Sequence, residues 1–251
     1  MSHRPDSRRA YARTCTNCGK RRKATDPSPP WMCPGCGRDL PPRDDGGALR
    51  LRIAATLLPE EEAPDGLILA GRAAVWIALA VWGLHFITLD PATNAIGRSF
   101  MHQINLPFHE AGHVLFRPLG RFMTILGGSL FQVLVPLIVA AAFLVRLHPF
   151  GVAVGLWWAG QSLMDVGPYI HDARRMSLPL IGGGTGQDRP WLHDWHNLLS
   201  RLDLLSWDQA LAGVAHALGA AFLLSGLGWG AIALYRSWMA MREGSARGPG
   251  R

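Results

Sequence analysis

The stretch FMHQINLPFHEAGHVLFRPL, residues 100–119, decides how the whole chain is read. It has membrane-spanning length, yet it carries His102, Gln103, Asn105, His109, Glu110 and His113. Such groups are expensive in hydrocarbon unless they face protein, water or metal. That cost argues for a site, and His109-Glu110-Ala111-Gly112-His113 supplies one. On a helix, positions i and i+4 share a face, so both imidazoles can hold one Zn²⁺ while Glu110 points at a water on the metal. Zinc lowers the pKa of that water toward ~7, and Glu110 can take its proton as the water attacks a peptide carbonyl.

The surrounding sequence fits a membrane body. Of the 251 residues, 49% are hydrophobic and only 17% charged, against roughly 25% charged in a soluble domain. Long apolar runs exclude disorder for most of the chain, and from Gly66 onward no alternation of short strands with amphipathic helices suggests a soluble α/β domain. Gly66 to Leu89, Phe122 to Leu147, Pro149 to Ile170 and Ala210 to Tyr235 each have spanning length. Phe122 to Ile170 reads as a helical hairpin turning at His148-Pro149. With the His109 helix this predicts an all-α polytopic membrane protein of four to five transmembrane helices. The expected units are residues 1–40, a linker at 41–65, a membrane domain at 66–236 and a polar tail at 237–251. Within the linker, Leu49 to Leu58 reads as a tether or as a short surface helix.

Charge is divided unevenly. Residues 1–52 hold twelve Lys and Arg against five Asp and Glu, whereas residues 53–251 hold thirteen against thirteen. The start is polar and arginine-rich with no secretory signal, so the N-terminus is expected in the cytoplasm. Helix one would then run outward and the His109 helix inward to Arg117 and Arg121. The hairpin would return His171, Asp172, Arg174 and Arg175 to the cytoplasmic side. Only the tail, with Arg236, Arg242, Arg247 and Arg251, disagrees with that scheme.

Cys15-Thr-Asn-Cys18 and Cys33-Pro-Gly-Cys36 form two C-x₂-C knuckles, each followed by a glycine, Gly19 and Gly37. Four thiolates at this spacing suit a closed tetrahedral Zn²⁺ site, which supplies the folding energy that so short a segment lacks. A cytoplasmic segment stays reduced, which argues against disulfides. The run Lys20-Arg21-Arg22-Lys23 could contact phosphate or act as a topology signal. A nucleic-acid partner is not expected, because no aromatics interleave with the basic residues. A cytoplasmic protein partner for the ribbon remains open.

The third ligand of the histidine pair follows partly by elimination. The extended metzincin pattern fails at Phe116 and Leu119, and the one Glu after Glu110 is Glu243 in the tail. Candidates are Asp165, Asp172, His171, Asp194, His193 and His196. In the topology above Asp172 lies level with the His109 helix, and Asp165 two turns or ~10 Å deeper. The segment His193-Asp194-Trp195-His196 reads either as metal-related or as an interfacial helix with Trp191 and Trp195 at the headgroups. His85 and His216 are expected to bond between helices.

The combination resembles the site-2 protease (M50) family of intramembrane zinc metalloproteases, and within it the compact bacterial M50B-like proteins. That family carries His-Glu-x-x-His on one membrane helix and Asn-x-x-Pro-x-x-x-x-Asp-Gly on a later one. This chain offers Asp165-Val-Gly-Pro168-Tyr-Ile-His-Asp172, with Asp for the leading Asn, one residue fewer before the ligand, and Ala173 for Gly. Gly127-Gly128-Ser129-Leu130-Phe131-Gln132 is loosely similar to the family's small-residue turn ending in Asn. The resemblance covers roughly residues 95–180. It implies Asp172 as third ligand and Asp165 as a polar partner near the substrate; the departures leave Asp165 as an alternative ligand.

The expected function is that of an intramembrane zinc endopeptidase of a bacterial inner membrane. It would cut membrane-spanning protein substrates near the cytoplasmic face, after local unwinding of the substrate helix, with Gly182 to Gly184 gating access. The site is His109, His113 and Asp172 on a catalytic zinc, with Glu110 as base and then acid. A structural zinc sits on Cys15, Cys18, Cys33 and Cys36. The alternative is an inert membrane scaffold that binds metal structurally and whose ribbon recruits a cytoplasmic protein or nucleic acid.

Overall fold

The computed structural model describes residues 11, 14–15, 17–23, 25–40 and 64–246. The chain divides into two compact units, residues 1–55 and 56–251. Residues 41–63 of the expected linker, including Leu49 to Leu58, lie outside the described residues.

In the first unit each C-x₂-C knuckle closes on itself. Cys15 N–H donates to the Lys20 carbonyl and Gly19 N–H to the Cys15 carbonyl; Cys33 N–H to Arg38 and Gly37 N–H to Cys33 repeat the pattern. Gly19 and Gly37 both sit near φ +70, a left-handed conformation that glycine adopts without steric cost. Isolated antiparallel bridges, Thr14 to Arg21 and Met32 to Asp39, flank the two turns. Cys15, Cys33 and Leu40 are buried with Tyr11 packed on them, a core far too small to hold a fold by itself.

The second unit is helical: α1 Gly66–Ile87, α2 Phe100–Leu115, α3 Arg121–Val145, α4 Pro149–His171, α5 Asp194–Arg201 and α6 Asp208–Ala246. Each start has a local cause. Asp65 caps α1 by accepting from Leu67 N–H, Ser99 caps α2, and Pro149 opens α4 at its first turn. The tail expected from residue 237 is helical as far as Ala246, because α6 runs unbroken for 39 residues, ~58 Å.

Among the described residues three helices are long and apolar enough to cross a membrane: Gly66–Ile87, Arg121–Val145 and Leu205–Glu243. They leave Val75, Ile77, Val81, Ile138 and Phe222 exposed. Helix α4 is the inverse, carrying Gln161, Ser162 and Asp165 but keeping most of its residues buried between α3 and α6.

Contacts fix the direction of each helix. Trp76 Nε1 donates to the Leu227 carbonyl and His216 Nε2 meets the Ile87 carbonyl, so α1 and α6 are antiparallel. Gln132 on Ser162 and Ala140 against Gly155 make α3 and α4 antiparallel. Gly160 against Gly219 and Ala153 against Gly226 do the same for α4 and α6. Arg174 locks that last pair through both oxygens of buried Asp208, at 2.9 Å from Nε.

The end of α1, the start of α3, the end of α4 and the start of α6 therefore share one end of the bundle. Helix α2 both begins and finishes there, with contacts to Asp165, Gln161 and Trp158 of α4 and to Gln132, Gly127 and Thr124 of α3. It does not traverse the bundle, contrary to the inward crossing expected from its length. The first residue of α1 and the His109 helix consequently lie at opposite ends, so they cannot share a cytoplasmic side if α1 crosses a membrane.

Candidate metal centres

Among the described residues two groups of side chains place metal-ligating atoms within 4.8 Å of one another: Cys15, Cys18, Cys33 and Cys36, and His109, His113 and Asp194.

In the cysteine group, Cys15 and Cys36 sulfurs are 3.7 Å apart and those of Cys18 and Cys33 3.5 Å. Backbone N–H groups favour negative charge here. Arg38 N–H lowers the Cys36 thiol to about 6, and the N–H groups of Cys36 and Gly35 lower Cys33. Cys18 receives the Lys20 N–H, which lowers it, but the surrounding thiols push it up to about 11. Four sulfurs this close cannot all be thiolates without a cation between them, so the group fits zinc. Arg22 turns inward to Ser28 Oγ and to the carbonyls of Pro29 and Met32, while Lys20, Arg21 and Lys23 are exposed.

The second group is built by α2, α3 and α5. His109 and His113 project from one face of α2 with ring centroids 4.8 Å apart. His113 Nδ1 donates to the Thr124 carbonyl at 2.8 Å, and His109 Nδ1 to Gln132 Oε1 at 2.9 Å. Gln132 is itself fixed by donating to the Ser162 carbonyl. With both Nδ1 protons engaged, the two Nε2 lone pairs converge on Asp194 Oδ2, at 3.1 and 3.3 Å. With neutral imidazoles these are three acceptor atoms, which repel one another unless a cation lies among them; that cation is a proton shared between an imidazole and Asp194, or a metal ion. Both imidazoles carry the outer hydrogen bonds that orient metal-bound histidines.

Glycines make room for this geometry. A Cβ on Gly128 would lie 2.6 Å from His113 Nε2 and 2.7 Å from His109 Nε2. A Cβ on Gly112 would collide with the Gly127 carbonyl, so α2 and α3 touch backbone to backbone there. The segment Gly127 to Gln132, expected as a turn, lies inside α3.

The carboxylate brought to the two histidines is that of Asp194; those of Asp172 and Asp165, expected there from the sequence, are engaged elsewhere. Asp172 stands at the end of α4 and accepts from Ser177 N–H and Oγ, Leu178 N–H and His193 Nε2. Burial would raise its pKa, but the His193, Leu178 and Ser177 donors hold it below the usual carboxylate value. Asp165 instead receives Asn105 Nδ2 and faces His102 Nδ1 at 3.1 Å from each oxygen. His171 joins neither group.

Asp172 acts on the second centre indirectly. His193, fully buried, donates to Asp172 through Nε2 and accepts the His196 N–H at Nδ1, capping α5. Tyr169 OH accepts from Asp194 N–H, Trp195 Nε1 donates to Ser129 Oγ, and His196 Nδ1 donates to the Ala173 carbonyl. The start of α5 is thus pinned by four hydrogen bonds, with Asp194 at its first position. Trp191 is 62% exposed, whereas Trp195 is partly buried and His193 fully buried. Of the candidates weighed from sequence, Asp194 carried one usable signal: it opens a short helix, DWHNLLSR, whose apolar and polar residues segregate to opposite faces.

His109, His113, Asp194 and Glu110 line a cleft of about 470 Å³ with Leu178 to Ile181 forming one wall. That wall is a narrow loop with Pro179 bridged to Thr185 across Gly182, Gly183 and Gly184, all at positive φ. Glu110 is exposed to the cleft and makes no hydrogen bond or ion pair among the described residues. His216 bonds the Ile87 carbonyl, between helices as expected. Compared with known proteins, the chain matches no family model, no curated protein and no solved structure.

Proposed function

We propose that this chain is a membrane-embedded zinc endopeptidase, with His109, His113 and Asp194 holding the metal and Glu110 as general base. The observation that carries the reading is the convergence of two imidazole nitrogens and a carboxylate oxygen beside an unengaged carboxylate in one cleft. When bound, zinc supplies a Lewis acid that acidifies water and polarises a carbonyl. Glu110 takes the proton from water as it attacks the peptide carbonyl and then returns it to the leaving nitrogen. Gln132 and the Thr124 carbonyl hold the imidazoles in place, and Tyr169 with His193 holds Asp194. A purely structural site has no use for Glu110 in this position.

The resemblance to the site-2 protease family supports the same chemistry, with the acidic ligand moved from the end of α4 to the start of α5. Four spans, α1, α3, α4 and α6, fit the helix directions, with α2 re-entrant at the cleft end. The cysteine group then serves as a structural zinc site. Cysteines introduced at Leu67 and at Ile181 should label with a membrane-impermeant reagent from opposite sides.

The test is zinc content together with proteolysis of a transmembrane reporter. Wild type should carry two zincs per chain and cleave; Glu110→Gln should keep both zincs and lose cleavage by at least about 10³-fold. Cleavage unaffected by Glu110→Gln would contradict the reading. So would one zinc per chain that His109→Ala leaves in place; it would favour the inert scaffold.

A further inference from the structure

The cleft continues along α2 to a polar end that the metal group does not use. His102 stands seven residues before His109, two helical turns or ~10 Å along the axis, and lines the same cleft with Arg98 and Asp165. The Asp165 side chain is only 1% exposed, whereas that of His102 is 33% exposed. An ionised carboxylate only accepts, so the proton on His102 lies at Nδ1, shared between the two Asp165 oxygens. That leaves Nε2 without a partner among the described residues, on a ring whose second nitrogen is backed by a buried negative charge. Such a ring binds a proton, and with it an anion, more readily than a lone imidazole. Arg98 is exposed on the same cleft and has no hydrogen-bond or ion-pair partner among the described residues.

We propose that Arg98 and His102 form a subsite for a carboxylate of the substrate. An extended peptide advances ~3.3 Å per residue, so the carboxylate belongs about three residues from the bond that is cut. Asp165 acts through His102, as a positioning residue. The inference rests on the hydrolase reading and deepens it by naming what the substrate must carry. The carboxylate can come from an acidic side chain or from a free chain end, and both present the planar pair of oxygens that a guanidinium matches.

The experiment measures binding to the full chain, zinc-loaded and in detergent. The probes are acetohydroxamate and hydroxamate peptides built on either side of the metal-binding group. Three residues away they carry Glu, Gln or a free C-terminal carboxylate. In one series at least, the carboxylate should tighten binding about tenfold over Gln. Arg98→Gln and His102→Gln should each remove that gain while leaving acetohydroxamate affinity and zinc content as in wild type. A gain with Glu alone assigns the side chain, and a gain with the free end alone assigns the terminus. Equal binding by all peptides, or a gain that survives both substitutions, overturns the subsite. Failure of wild type to bind acetohydroxamate at all would instead overturn the hydrolase reading beneath it.

Discussion

The cysteine group and the histidine group hold their ligands in opposite ways. The four sulfurs come from 22 consecutive residues, Cys15 to Cys36, and offer a complete tetrahedral set. His109 and Asp194 are 85 residues apart, offer only three atoms with His113, and leave a cleft and an unengaged Glu110 on the open side. A closed set stabilises a fold; an open set leaves a position for chemistry. The contrast also decides how each was reached from sequence, because local spacing encodes the first and tertiary packing assembles the second.

The largest effect should come from breaking the closed set. Cys33→Ser should release one zinc and unfold residues 11–40, at a cost on the order of 10 kcal/mol of metal-coupled folding energy. Hydrogen exchange would report loss of protection there, with the second zinc retained. If both metals leave together, the two centres are not independent.

A smaller effect should follow from crowding the open set. Gly128→Ala puts a methyl against both Nε2 atoms, so zinc affinity at the histidine group should fall about 10–100-fold while the bundle stays folded. Unchanged affinity in a metal titration would show that the imidazoles do not occupy the positions described.

The smallest effect belongs to the residue that supports Asp194 from behind. Asp172→Asn should weaken zinc binding about tenfold and cost about 1–3 kcal/mol without removing the metal. Its folded pKa is depressed, so the stabilisation is complete above the unfolded carboxylate value, ~3.9, and is lost as pH falls through the lower folded value. Acid unfolding below about pH 4 should therefore flatten in Asp172→Asn. An unaltered acid limb would place the ionised carboxylate elsewhere.

Much of the fold was legible because an apolar run declares its own length. Gly66 to Leu89 was expected and Gly66–Ile87 found; Phe122 to Leu147 was expected and Arg121–Val145 found. Whether a helix crosses depends on its neighbours, and α2 stays at one end because α3 and α4 hold it there. The histidine pair and the four cysteines were legible from spacing alone. The acidic partner was not, because Asp165 and Asp172 satisfy a sequence pattern while their carboxylates are engaged by His102, Asn105, Ser177 and His193. Only the fold of residues 172–194 brings Asp194 back onto α2.

The most direct measurement of that claim is zinc per chain in Asp194→Ala and Asp172→Asn, compared with wild type. The proposed function predicts two zincs in wild type, one in Asp194→Ala and two in Asp172→Asn, the last bound more weakly. Two zincs in Asp194→Ala with one in Asp172→Asn would contradict it and return the third ligand to the end of α4.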